Sequence, residues 1–221
     1  NHSDYIVGGH TGAVVGYDAK AGEVNFENVH VKGLVRIEGE TRAAQGQRIG
    51  GIIGGRRSSK MTFKNVSVKG TDGSYIKGYC STAGVSGQIQ NVATYENVHT
   101  DIDVYAVTFG AGGIAGIVTQ GSTFTNCSSA GDITLDASKT QLSSYSANYP
   151  YRVGGIAGCW SESATGVLTL TDCTYTGNLT SIDRDGNTPQ TLDYAGYVGR
   201  GYTLNGCAGS KVVIDGVEYV Q

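Results

Sequence analysis

Two prolines, one methionine, one tryptophan and charged residues at only 16% set the first limits on this chain of 221 residues. Helical proteins are rich in Glu, Lys, Ala and Leu, so the scarcity of charge beside 35 glycines and 14 tyrosines points to strands and tight turns instead. No run of Lys and Arg is longer than Arg56-Arg57 and the net charge is -3, which leaves no basic face for a phosphate backbone and makes nucleic acid an unexpected partner. No segment approaches the roughly 18 apolar residues of a membrane span. The first residues, Asn1-His2-Ser3-Asp4, lack a signal sequence; because Asn1 is not Met, a processed product is expected and an export signal is not readable here. The five cysteines are odd in number and contain no Cys-x-x-Cys pair, which indicates neither a disulfide framework nor a zinc site. Also missing are a Gly-x-Ser-x-Gly elbow, a His-Glu-x-x-His zinc motif and a phosphate-binding loop ending in Lys-Ser or Lys-Thr.

What is present is a repeat. A Gly-bracketed apolar element recurs six times: Gly12 to Gly16 (one residue longer), Gly51 to Gly54, Gly84 to Gly87, Gly113 to Gly116, Gly155 to Gly158 and Gly196 to Gly199. Each is followed by a second element, an aromatic or Leu, any residue, Asn or Asp, then Val or Cys, except that Gly206 fills the third slot of the last copy. These run Phe26 to Val29, Phe63 to Val66, Tyr95 to Val98, Phe124 to Cys127, Leu170 to Cys173 and Leu204 to Cys207. First glycines fall 29 to 42 residues apart, so loops absorb the variation while the paired elements keep their order. Segments this short, β-branched and Gly-punctuated predict stacked strands rather than a helical repeat. The reading is an all-β, right-handed parallel β-solenoid of about six coils forming a single domain over 1–221. Residues 1–11 begin the first coil, 12–211 carry the repeats and 212–221 form a capping hairpin turning at Asp215-Gly216. The abrupt start at Tyr5-Ile6-Val7 leaves room for upstream coils.

Stacking makes the sequence predict its own contacts. The six aromatic or Leu positions should form one interior column and the Val or Cys positions a second, with Asn28, Asn65, Asn97, Asn126 and Asp172 at the corner between them. This pattern resembles the GLUG repeats of large bacterial surface proteins, adhesin-like proteins among them. The resemblance implies a place at the cell surface or outside the cell and a binding or spacer role, and it brings no catalytic residue.

The same counting places Asp103 beside Asp132 and Asn178, with Asp101 on the same outward face. Three carboxylates there would suit Ca²⁺ or an acid-base pair; otherwise no cofactor is expected, and a solvated charged face is the plainer reading. Lys32 and Lys69 share the offset of Asp101, and His30 and His99 share another. Cys127, Cys173 and Cys207 read as small buried hydrophobes, and Asp183 to Asn187 reads as a turn rather than a calcium loop. The longest insertions, Asp136 to Tyr151 and Ser181 to Asp193, should emerge on one edge. Tyr145, Tyr149, Tyr151 and Trp160 are the candidate ligand-binding residues there, for a glycan or a surface protein, against the alternative that they only pack the loop. The functional expectation is a noncatalytic adhesin-like or spacer module. The alternative is a β-helix polysaccharide lyase or glycoside hydrolase using the clustered carboxylates.

Overall fold

The computed structural model describes residues 6–18, 22–39, 47–56, 60–118, 120–143, 152–159, 168–188, 193–195, 202–205, 207, 211–214 and 217–220. The fold is all-β: parallel sheets of six, ten and nine strands, together with one antiparallel pair. Among the described residues the single helical element is a 3-10 turn at Ala137–Lys139. The chain passes through the three sheets in a fixed order. Its first passage runs Ile6–Gly8, then His10–Thr11 and Val15–Asp18, then Val24–Glu27 and His30–Gly33. The second runs Arg36–Gly39, Arg48–Gly50, Ile53–Arg56 and Met61–Gly70, each strand pairing in parallel with its counterpart one passage earlier.

The Phe-x-Asn-Val element explains itself in the strand Met61–Gly70. Met61, Phe63, Val66 and Val68 are buried while Lys64 and Lys69 are exposed. Strict strand alternation would turn Val66 outward, because it lies three residues after Phe63. Asn65 resets the alternation by taking the left-handed conformation, φ 54°, so both apolar neighbours face the core. Asn28, Asn97, Asn126 and Asp172 do the same with φ of 52° to 55°. Asn and Asp tolerate that region best among residues with a side chain, which fixes the residue type. On the outer surface the corner side chains bond to one another: the Asn97 amide donates to Asn65 Oδ1 at 3.1 Å, Asn126 to Asn97 Oδ1 at 3.3 Å, and Asn65 to Asn28 Oδ1.

The predicted aromatic column is present. Phe26 and Phe63 stack with centroids 5.1 Å apart, Phe63 and Tyr95 at 4.7 Å, and Tyr95 and Phe124 at 4.3 Å, all within 9° of parallel. Backbone register carries the column on to Leu170 and Leu204. Each aromatic pair adds about 0.5–1.5 kcal/mol beyond its buried area. Tyr95 brings a hydroxyl into this core, and Ser86 meets it at 2.7 Å. Ser86 stands in line with Ile53 on one side and Ala115 on the other, so the polar partner appears only where the column holds Tyr.

The bracketing glycines are required by closeness, not by turn geometry. A Cβ on Gly51 would lie 2.1 Å from the carbonyl oxygen of Gly84, one on Gly84 2.2 Å from that of Gly113, and one on Gly113 2.1 Å from that of Gly155. Across the core the same positions face Val68, Thr100, Ser129 and Tyr175, the last only 2.4 Å from a Cβ on Gly155. The second glycines form another such file, with a Cβ on Gly54, Gly87, Gly116 or Gly158 falling 2.4–2.6 Å from the carbonyl oxygen of Gly16, Gly54, Gly87 or Gly116. Gly51, Gly84 and Gly113 fall between successive strands of the ten-stranded sheet, whereas Gly54, Gly87, Gly116, Gly155 and Gly158 lie inside strands, and none has the positive φ found at Gly22, Gly33, Gly73 and Gly186.

At the C-terminal end Lys211–Ile214 pairs antiparallel with Val217–Val220 and packs beside Leu179–Ile182; the expected turn at Asp215 and Gly216 lies outside the described residues. At the other end the first passage holds Val14 and Leu34, the exposed large hydrophobics among the described residues.

Candidate functional site

Stacked order lets outward side chains from distant parts of the sequence meet. Asp103 Oδ1 accepts from the Asp132 backbone N–H at 2.9 Å, and Asp132 Oδ1 accepts from the backbone and side-chain amides of Asn178 at 2.9 Å each. Asp101 Oδ1 accepts from the Gly70 N–H at 2.7 Å. The predicted adjacency of Asp103, Asp132 and Asn178 is therefore real, but each of the three carboxylates accepts from a different residue's amide. Among the described residues no group of three His, Cys, Asp or Glu side chains is gathered closely enough to hold a metal ion. A shallow depression of about 450 Å³ adjoins them, lined by Asp72, Ser74, Asp101 and Asp103 among others.

The two long loops leave and return in register. Asp136 pairs with Ile182 at their departure, and Gly154 pairs with Asp193 at their return. Tyr145, Tyr149, Tyr151 and Trp160 lie outside the described residues. The base of the first loop is described, and it covers Tyr79, whose hydroxyl accepts from the Gln141 N–H and lies 3.4 Å from Thr140 Oγ1. A pocket of about 140 Å³ opens beside it, with Tyr79 and Val107 at its floor and Glu38, Lys77, Lys139 and Gln141 among its polar lining. Nearby, burial and then the Asp136 carboxylate, which accepts from the Tyr105 hydroxyl at 3.2 Å, push that phenol up to about 12.

A third concavity, of about 340 Å³, lies on the outer face of the nine-stranded sheet between His30, Lys32, Asn65, Ser67, Lys69 and His99. Register stacks His30, Ser67 and His99 in one row and Lys32 against Lys69 in the next. His30 Nδ1 lies 2.8 Å from Ser67 Oγ, and His99 Nδ1 lies 2.8 Å from Ser128 Oγ. His99 Nε2 donates to Asn97 Oδ1 at 2.7 Å when protonated there, so the corner column fixes that ring. Partial burial, and then the Lys69 ammonium, hold His99 below its ordinary pKa.

The remaining candidates resolve as structural groups. Asp183 Oδ1 accepts from the N–H of Asp185 at 2.9 Å and of Asn187 at 2.7 Å, closing a turn on itself as the sequence reading expected. Cys127 and Cys173 are buried free thiols, and burial pushes the Cys127 thiol well up. Tyr175, likewise buried, donates to the Asn178 carbonyl at 2.7 Å.

No family model matches this chain, and neither a curated protein nor a solved structure matches it. Among the described residues no helix is long and apolar enough to cross a membrane. Equal offsets in the sequence pair His30 with His99 and Lys32 with Lys69, which was the available signal for the basic groove. The Ser67 rung between the histidines and the Asn97 and Ser128 bonds needed coordinates.

Proposed function

We propose that the chain is a right-handed parallel β-solenoid of six coils built on a GLUG-type repeat. It serves as a noncatalytic adhesin-like or spacer module of a bacterial cell surface and binds carbohydrate or protein through its two long loops. Each passage through the three sheets is one coil, and the hand follows the strong right-handed bias of parallel crossovers. The observation that carries this reading is the paired departure and return of the loops, at Asp136 with Ile182 and Gly154 with Asp193. Loops held side by side on a rigid stack can vary in length and composition without disturbing the core, which is how repeat scaffolds present binding surfaces. The pocket beside Tyr79 at the base of the first loop adds Glu38, Lys77, Lys139 and Gln141, donors and acceptors suited to sugar hydroxyls. The lyase or hydrolase alternative loses support because Asp101, Asp103 and Asp132 each accept from an amide of a neighbouring strand or turn.

The test is a glycan array with the purified chain, its Tyr149→Ala and Trp160→Ala variants, and a variant with 144–150 replaced by a short Gly-Ser linker. Binding lost in the variants at unchanged thermal stability supports the loops as the recognition surface. Unchanged binding in all three, and in a fourth variant with 184–191 replaced by a short Gly-Ser linker, removes the loops from the account. Glycan cleavage that disappears when Asp101, Asp103 and Asp132 are changed to Asn would establish an enzyme instead.

A further inference from the structure

Lysines on the nine-stranded sheet divide into two kinds. Lys64 lies 3.5 Å from Glu96, and Lys60 lies 3.9 Å from Glu23, so each faces a carboxylate one strand away. Lys32 and Lys69 face each other instead: they are direct partners in the ladder, one strand spacing apart, about 4.8 Å. Like charges directly opposite on a sheet repel and destabilise it. Among the described residues no carboxylate oxygen comes within 4.0 Å of either ammonium. The nearest rung that could supply one holds Asp101, whose Oδ1 is turned to the Gly70 N–H at 2.7 Å. The paired lysines line a groove of about 340 Å³ with His30, Asn65, Ser67 and His99, and no acid is among its lining residues. In a chain of net charge -3 this is a local concentration of positive charge and hydrogen-bond donors.

We propose that this groove binds the anionic groups, carboxylate or sulfate, of an acidic polysaccharide. Lys32 and Lys69 supply the charge, since an anion seated between them replaces their mutual repulsion with two charge-assisted hydrogen bonds. His30, held through Nδ1 by Ser67, is placed to add a donor from Nε2, and His99, fixed by Asn97 and Ser128, forms the wall. Single-stranded nucleic acid is the poorer fit, because no Phe, Tyr or Trp lines the groove to stack a base and both imidazoles are already tied to serine hydroxyls. The proposal deepens the carbohydrate-binding reading and names a second surface, on the sheet rather than the loops.

Affinity electrophoresis in gels containing polygalacturonate, dextran sulfate or neutral dextran tests it, with the full chain and the double variant Lys32→Gln/Lys69→Gln. The expected result is retardation by one or both acidic polymers and none by the neutral one. The apparent Kd should weaken by about tenfold or more in the double variant, the loss of two charge-assisted bonds, at a Tm equal to or above that of the wild type because the repulsion is relieved. Lys60→Gln/Lys64→Gln is the control and should bind as the wild type. The polymer that retards identifies carboxylate or sulfate as the group recognised. Equal retardation of the wild type and the Lys32/Lys69 variant, or no retardation by either acidic polymer, overturns the groove. Loop-dependent binding to neutral glycans would still stand on its own array result. Retention of a single-stranded oligonucleotide through the same two lysines would overturn the assignment to a glycan.

Discussion

Replacing Gly113 by Ala adds one methyl group, and the surroundings of that methyl decide the outcome. Its Cβ would lie 2.1 Å from the Gly155 carbonyl oxygen, 2.2 Å from Ser129 Oγ and 2.5 Å from Ser129 Cβ. The carbonyl belongs to a strand bonded into the sheet, and the Ser129 Cβ is fixed by its own strand, so neither side can yield without moving a whole passage of chain. Overpacking of a well-filled core costs about 1–3 kcal/mol, and contact with rigid groups on both sides puts this change at the upper end, about 3 kcal/mol. For a chain of this size that is a fall in Tm of roughly 6–12 °C. Gly9→Ala is the matched control: nothing lies within 4 Å of its Cβ and its φ is not positive, so shortening the list of unfolded conformations should leave it neutral or more stable by up to about 1 kcal/mol. Adding Ser129→Gly to Gly113→Ala should recover only part of the loss, because the Gly155 carbonyl stays in place. Urea unfolding of the four proteins provides the measurement. If Gly113→Ala and Gly9→Ala unfold at the same urea concentration, the close stacking of the glycine file is wrong.

Three further outcomes follow from the same packing. Tyr95→Phe leaves Ser86 Oγ without its 2.7 Å partner in a dry core and should cost about 1–3 kcal/mol, whereas Tyr95→Phe with Ser86→Ala should cost less than either change alone predicts in sum; additive losses in a double-mutant cycle would refute the bond. His99 is held below its ordinary pKa by burial and Lys69, so the unfolded chain takes up the proton first. That contribution is fully present above the ordinary histidine range and should be lost as pH falls from about 7 to 5, a slope that His99→Gln flattens and that a rise in stability on acidification would contradict. Cys80, Cys127 and Cys173 are buried and should resist Ellman's reagent until urea unfolds the chain; rapid reaction at all three in the native state would contradict their burial.

Much of the stack was legible in the sequence because its logic is one of constant offsets. The positions of Phe63 and Val66 are three residues apart in every copy, and a left-handed residue between them, Asn in four copies and Asp172 in the fifth, turns both inward, so spacing and residue type together specified the column and its corner. The same offsets placed Asp103 beside Asp132 and Asn178. Offsets say nothing about distance across the core, however. That Gly113 must be Gly because Ser129 and the Gly155 carbonyl crowd it depends on how near two sheets come, and the variable loops hide this from any count along the chain. Nor do offsets say where a side chain spends its hydrogen bonds. Three acids in a row read as a cluster, yet Asp101, Asp103 and Asp132 each turn to a separate amide, while two lysines that read as a surface charge ladder are left facing each other over a groove.

The central claim is that one position per passage stacks along a single axis. Nitroxides on the outward row Asn25, Thr62, Thr94, Thr123 and Thr169, whose neighbours are direct ladder partners, measure it most directly by pulsed dipolar spectroscopy. With Asn25→Cys as the fixed label, backbone separations should grow by about 4.8 Å per strand, to about 14 Å at Thr123→Cys and about 19 Å at Thr169→Cys. Distances that do not increase in that order, or a separation beyond about 30 Å between positions 25 and 169, would contradict it.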